Sequence, residues 1–126
     1  MEQHIINESI LYPMENREEL IALSAQLQAE FRPSNEAEME IFDRLVTASW
    51  LRKRYEKVRA KLYDRKHALA AGSPQLPITI DSIRRFQQEV DQQKKQLATL
   101  RKLLRRLREG ESFSIEETLH EYLPAA

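Results

Sequence analysis

The stretch NEAEMEIFDRLVTASWLRKRYEKVRAKLYDRKHAL, residues 35–69, decides how the chain folds, and TIDSIRRFQQEVDQQKKQLATLRKLLRRLR, residues 79–108, answers it. In the first, Ile41, Leu45, Ala48, Leu51, Tyr55, Val58, Leu62, Arg65 and Leu69 follow one another by threes and fours. In the second, Ile80, Ile83, Phe86, Val90, Gln93, Leu97, Leu100, Leu104 and Leu107 do the same. Such steps keep side chains on one stripe of a helix, and their alternation averages about 3.5 residues, the spacing of a gentle left-handed supercoil. Folding the chain at Ser73 and Pro74 pairs positions whose numbers sum to 148, so that Ala48 meets Leu100, Leu51 meets Leu97 and Val58 meets Val90. Tyr55 then meets Gln93, a single polar layer in which phenol and amide can hydrogen-bond. The pattern predicts an all-α fold built on a long antiparallel helical hairpin, about 35–71 and 79–109, with a short helix before it (about 16–32) and after it (about 114–123).

Outside the hairpin the signals are local. Asn16 with Glu19 reads as a capping box opening a helix whose Leu20, Leu23, Leu27 and Phe31 share one face, and Pro33 stops it. At about 15 residues this helix is marginal alone and needs a docking surface. Asn35 with Glu38 forms a second box, and Met39, Phe42, Val46 and Trp50 make a second apolar stripe on the long helix. The first half of that helix is thus apolar on two faces and the second half on one. A three-helix region should form, with the rest of the hairpin projecting as a two-helix arm. Gly72 suits a left-handed helix end, Thr79 caps the next helix with Ile78 and Ile83 as its hydrophobic staple, and Gly110 stops it. Ser114 with Glu117 opens the last helix, with Ile115, Leu119 and Tyr122 inward. Residues 1–15 read as an arm, 16–123 as one helical domain and 124–126 as a tail.

Composition narrows the class. A chain of 126 residues with 32% charged residues and two Gly favours one helical domain over sheet. There is no Cys, which excludes disulfides, thiolate metal sites and cysteine nucleophiles. No apolar run approaches the roughly 18 residues needed to span a bilayer, and the first residues lack a signal-peptide pattern. A cytoplasmic protein with no membrane partner is expected.

Net charge is zero but unevenly spread. Residues 1–43 hold ten acids and two bases, residues 44–109 eighteen bases and six acids, and residues 110–126 four acids and no base. At the open end of the hairpin, acids at one helix start lie beside bases at the other helix finish, which suits both macrodipoles. In the arm, residues 52–66 with 82–96 hold twelve bases and four acids, +8. Lys53, Arg54, Lys57 and Lys61 share one sector, and Arg52 with Arg59 another. Three readings fit: a solvated coiled-coil face, a surface for acidic protein or for the chain's own acidic segments, and a phosphate-tracking surface. The absence of exposed aromatics between the bases weighs against nucleic acid.

Catalytic and metal signals are weak. Asp64–His67 and Glu117–His120 have the i, i+3 spacing of carboxylate-bridged bundle metals, but His67 lies off the seam and facing carboxylates are missing. There is no Gly-rich phosphate loop, nucleophile elbow or paired buried carboxylate. No catalytic residue, cofactor or metal is expected.

The pieces Tyr12-Pro13-Met14-Glu15, Pro33 to Glu38 and Ala48-Ser49-Trp50-Leu51-Arg52-Lys53-Arg54 carry a resemblance. Residues 11–62 resemble a segment of small bacterial helical proteins with a Pro-x-x-x-x-Glu start to a long helix bearing a tryptophan followed by arginines. The resemblance implies a helical fold and carries no function with it. From the residues themselves the expected function is a non-enzymatic interaction module, self-associating or an accessory subunit of a protein complex. The alternative is a nucleic-acid-binding accessory protein using the basic arm. The contact residues expected are Ile10, Leu11 and Tyr12 as an arm, with Trp50, Arg52, Arg54, Lys57, Arg59 and Lys61. Trp50 is either a core aromatic against the first helix or a partner anchor.

Overall fold

The fold begins from Asn16, whose side chain accepts a hydrogen bond from Glu18 N–H and opens a helix, α1, at Arg17–Phe31. A computed structural model describes residues 10–115, 117 and 118. Two long helices follow, α2 at Glu36–Ala68 and α3 at Gln75–Arg108, and no strand occurs among the described residues. The all-α hairpin with a preceding short helix is therefore the architecture. Helix α2 is about 50 Å long at 1.5 Å per residue, which makes the hairpin a rod rather than a ball. Of the expected last helix, Ser114 accepts from the N–H groups of Glu117 and Thr118, which is one turn. The remainder of that helix, from 119, lies outside the described residues, as do 1–9 of the expected arm and the tail.

The two apolar faces of the first half of α2 hold two cores. Ile41, Leu45 and Ala48 pack with Leu97, Leu100, Leu103 and Leu104 of α3, closed by Ile115. On the other face Phe42, Val46 and Trp50 pack with Leu20, Leu23 and Leu27 of α1. Phe31, half-buried, touches both clusters.

An ion pair locks the open end. Glu38, with its side chain 7% exposed, accepts from Arg108 Nε at 3.0 Å, Ser34 Oγ at 3.0 Å and Asn35 Nδ2 at 3.0 Å. Arg108 also donates to the carbonyls of Phe31 and Arg32, tying the α1–α2 turn to the end of α3. Burial pushes the Glu38 carboxyl up, but the bonds from Arg108 and Ser34 together outweigh it, and the net shift is downward. Arg32, in a left-handed conformation at φ 46°, ends α1 with its N–H on Gln28 O, and Pro33 follows.

Several expectations need correction. Glu19 does not reach back to Asn16; it pairs with Lys57 at 2.9 Å, both side chains more than half exposed. Glu38 closes its box through the Asn35 side-chain amide. Gly72 is not left-handed, because α2 ends earlier, at Ala68, with Leu69 N–H shared between Arg65 O and Lys66 O. Thr79 is not a cap. Ser73 Oγ accepts from Gln75 N–H, so α3 starts four residues sooner and Thr79 lies inside it, its hydroxyl on Gln75 O. Ile78, expected in a staple, is 67% exposed. Pro77 does not delay the helix, because at the third position its missing N–H would have had no partner anyway. Gly110, at φ 91°, does serve as the left-handed stop.

Long polar side chains bridge the flanks of the hairpin, Arg108 to Glu38, Arg59 to Gln87 and Arg65 to Gln75. Tyr55 turns its ring to Phe86, centroids 6.0 Å apart, and Gln93 Oε1 is buried with no hydrogen-bond partner, so the expected phenol–amide bond to that oxygen is not formed. An unmade buried acceptor costs about 1–3 kcal/mol. Gln93→Leu should therefore raise stability by about 1 kcal/mol, read as a higher urea midpoint. A lower midpoint would mean that the amide makes compensating bonds.

Candidate partner-binding site

On α2, Trp50, Arg54 and Lys57 recur at helical spacing and so face one side, the side along which α1 runs. The chain before α1 turns across them. Glu15 N–H donates to Tyr12 O at 2.9 Å, a four-residue turn with Pro13 at its second position. This turn presents the Glu15 carboxylate to α2. Arg54 grips it with two bonds, Nε to Oε2 at 2.8 Å and Nη2 to Oε1 at 2.6 Å. Trp50 Nε1 donates to Oε1 at 3.2 Å, and Tyr12 N–H to Oε1 at 2.8 Å. Arg54 also donates to Ile10 O, and its guanidinium carbon sits 3.6 Å from the centre of the Tyr12 ring.

The electrostatics follow from this geometry. The Arg54 hydrogen bonds hold the Glu15 carboxyl at about 2, well below its ordinary range, against the opposing effect of burial. The same contact raises Arg54, again against burial. Burial, aided by the Glu89 charge, raises the Tyr55 phenol.

Of the expected contact residues, Ile10, Leu11, Tyr12, Trp50, Arg54, Lys57 and Lys61 come together on this face. Ile10 and Leu11 pack on the α1–α2 core, and Trp50 is 3% exposed within it. Lys57 pairs with Glu19. Arg52 and Arg59 lie elsewhere, Arg52 paired with Glu56 at 2.7 Å and Arg59 bonded to Gln87 of α3 at 2.6 Å. Glu15, the hub of the arrangement, was not among the expected residues. The signal was present as an acid closing a proline turn, but its target lies 39 residues away.

Between the turn and the outer part of this face runs a groove of about 700 Å³. It is lined by Tyr12 and Met14 of the turn and by Trp50, Lys53, Lys57, Val58 and Lys61 of α2, with Glu15, Glu19 and Arg54 also in the lining. Met14 is 99% exposed and Tyr12 58%. The surface offers apolar contact beside a cationic edge. Among the described residues no group of three or more His, Asp or Glu is placed to hold a metal ion, and His120 lies outside them. No helix of the described residues is long and apolar enough to cross a membrane.

No protein-family model, no curated protein and no solved structure matches the chain.

Proposed function

We propose that this chain is a non-enzymatic helical assembly module, self-associating or serving as an accessory subunit of a larger protein complex in the cytoplasm. One observation carries the reading: from Leu51 to the end of α2 no residue is buried. Leu51, Tyr55, Val58 and Leu62 are only partly buried on the seam, while Tyr63 and Ile78 stand in solvent at 41% and 67%. A two-helix arm has one flank for each helix to cover, and α1 stops at the base. A further helix laid along the arm would bury about 25 cal/mol per Å² of this apolar surface.

The nucleic-acid reading is weaker. Arg52, Arg54 and Lys57 already engage carboxylates of the chain itself, which removes part of the +8 surface from phosphates.

Light scattering at micromolar concentration tests the reading. A mass above the 14.9 kDa of one chain, or a stoichiometric protein co-purifying with it, is expected. A strict monomer whose melting temperature does not change with concentration, and with which no protein co-purifies, would sink it.

A further inference from the structure

We infer that the groove lined by Tyr12 and Met14 of the turn and by Lys53 and Lys61 of α2 is the docking site of an amphipathic helix with carboxylates along one edge, supplied by a different polypeptide. The inference rests on the assembly reading above and names the chemistry of the partner.

Charge complementarity at this face is already on display within the molecule. Glu15, in the turn before α1, and Glu19, in its first turn, meet Arg54 and Lys57 of α2. The basic row does not end where those acids end. Among the described residues no carboxylate pairs with Lys53 or Lys61, although both line the same groove as Lys57. Lys53, Lys57 and Lys61 stand at i, i+4 and i+8, so their ammonium groups run along the helix as one edge. A partner helix continuing the line of α1, with acids at the same spacing, would meet them as Glu15 and Glu19 meet Arg54 and Lys57.

The groove also selects against other occupants. From Trp50 to Lys61 it follows α2 for about 16 Å, about three helical turns, which suits a short helix. Its lining includes the apolar side chains of Pro13, Met14, Trp50 and Val58 beside the charged ones. Methionine adapts to varied apolar side chains, as helix-in-groove sites require. A nucleic-acid strand would need aromatic faces open for stacking, whereas the Tyr12 face is already taken by Arg54. A second copy's arm is disfavoured because each arm carries +8, and like charges brought together repel.

Trp50 makes the test direct. It is the only tryptophan of the chain and lines the groove, so its emission reports occupancy. The probe is a synthetic helical peptide of about 14 residues, roughly four turns, with leucines on one face and glutamates along its edge. Titrated into the full chain, it should change Trp50 emission with a Kd on the order of 10 µM. Lys53→Glu with Lys61→Glu should weaken it about tenfold or more, and Met14→Glu should do likewise. All three positions are exposed, so the fold should survive, which circular dichroism checks. The same peptide with lysine for glutamate should not bind. Equal binding of both peptides, or no change in emission up to about 1 mM, overturns the inference. So does a generic DNA duplex that binds at sub-micromolar level through Lys53 and Lys61, or a self-association that the double variant dissolves while the acidic peptide has no effect. Light scattering on the same samples separates the two failures: an assembly that forms while the peptide does not bind leaves the assembly reading standing and removes only this one.

Discussion

Phe42→Ala is expected to cost about 3–5 kcal/mol of folding stability. Phe42 is fully buried between α1 and α2, among Leu20, Leu23, Leu27, Val46 and Trp50. Removing its ring leaves a cavity that rigid helix backbones fill only in part, so a cavity cost adds to the lost transfer free energy. The loss falls chiefly on α1, because 15 residues are too few for an isolated helix to persist in water. Urea unfolding followed by circular dichroism should show a much lower midpoint. Ile78→Ala, at a position 67% exposed, should stay within about 0.5 kcal/mol of the parent. A cost below about 1 kcal/mol for Phe42→Ala would mean that α1 is not held through this face.

The same residue shows what the sequence could express and what it could not. Helical periodicity is a property of one segment, so the two stripes on α2 were legible, as was the side of α1 that meets one of them. Caps are equally local: Asn16 and Asn35 bond to amides two and three residues ahead. Legibility fails where a choice depends on a distant competitor. Glu19 can serve its own helix start or Lys57, and only the fold brings Lys57 within 2.9 Å. The start of α3 departs from expectation for a different reason. Two prolines and a threonine read as a boundary at 79, yet proline is compatible with a first helical turn, and Ser73 Oγ accepts from the first helical N–H, that of Gln75. In the seam itself, Gln93 Oε1 lacks the phenol bond expected of it, because the Tyr55 ring turns to Phe86. Placing Trp50 and Arg54 on one face was within reach of spacing. Finding that Glu15 holds both was not, because a turn of four residues carries no sign of where it docks.

The Glu15–Arg54 pair also gives the molecule an acid-sensitive element. A carboxyl held at about 2 in the folded chain and at its ordinary 4.5 in the unfolded chain favours folding at neutral pH. Because the folded value is the lower one, that contribution is complete above about pH 5 and disappears as the pH falls from about 4.5 through about 2. A depression of this size corresponds to at most about 3 kcal/mol. About 2 kcal/mol is expected, since part of the Glu15 side chain, 19%, is open to water and the turn can relax away from Arg54. Glu38 is shifted in the same direction, so the parent's loss in acid has at least two sources. Glu15→Gln isolates one of them. Its urea midpoint should fall below the parent's at pH 7 and approach it near pH 2, giving a flatter pH profile. Arg54→Met should lower stability at pH 7 by a similar amount, because it leaves a carboxylate beside Trp50 without its cation. Combined with Glu15→Gln it should cost much less than the two losses added, as expected for residues in contact. The carboxyl carbon of Glu15, followed by NMR in the folded protein, reads the pair directly. Titration near 4.5 would show that Arg54 does not hold it.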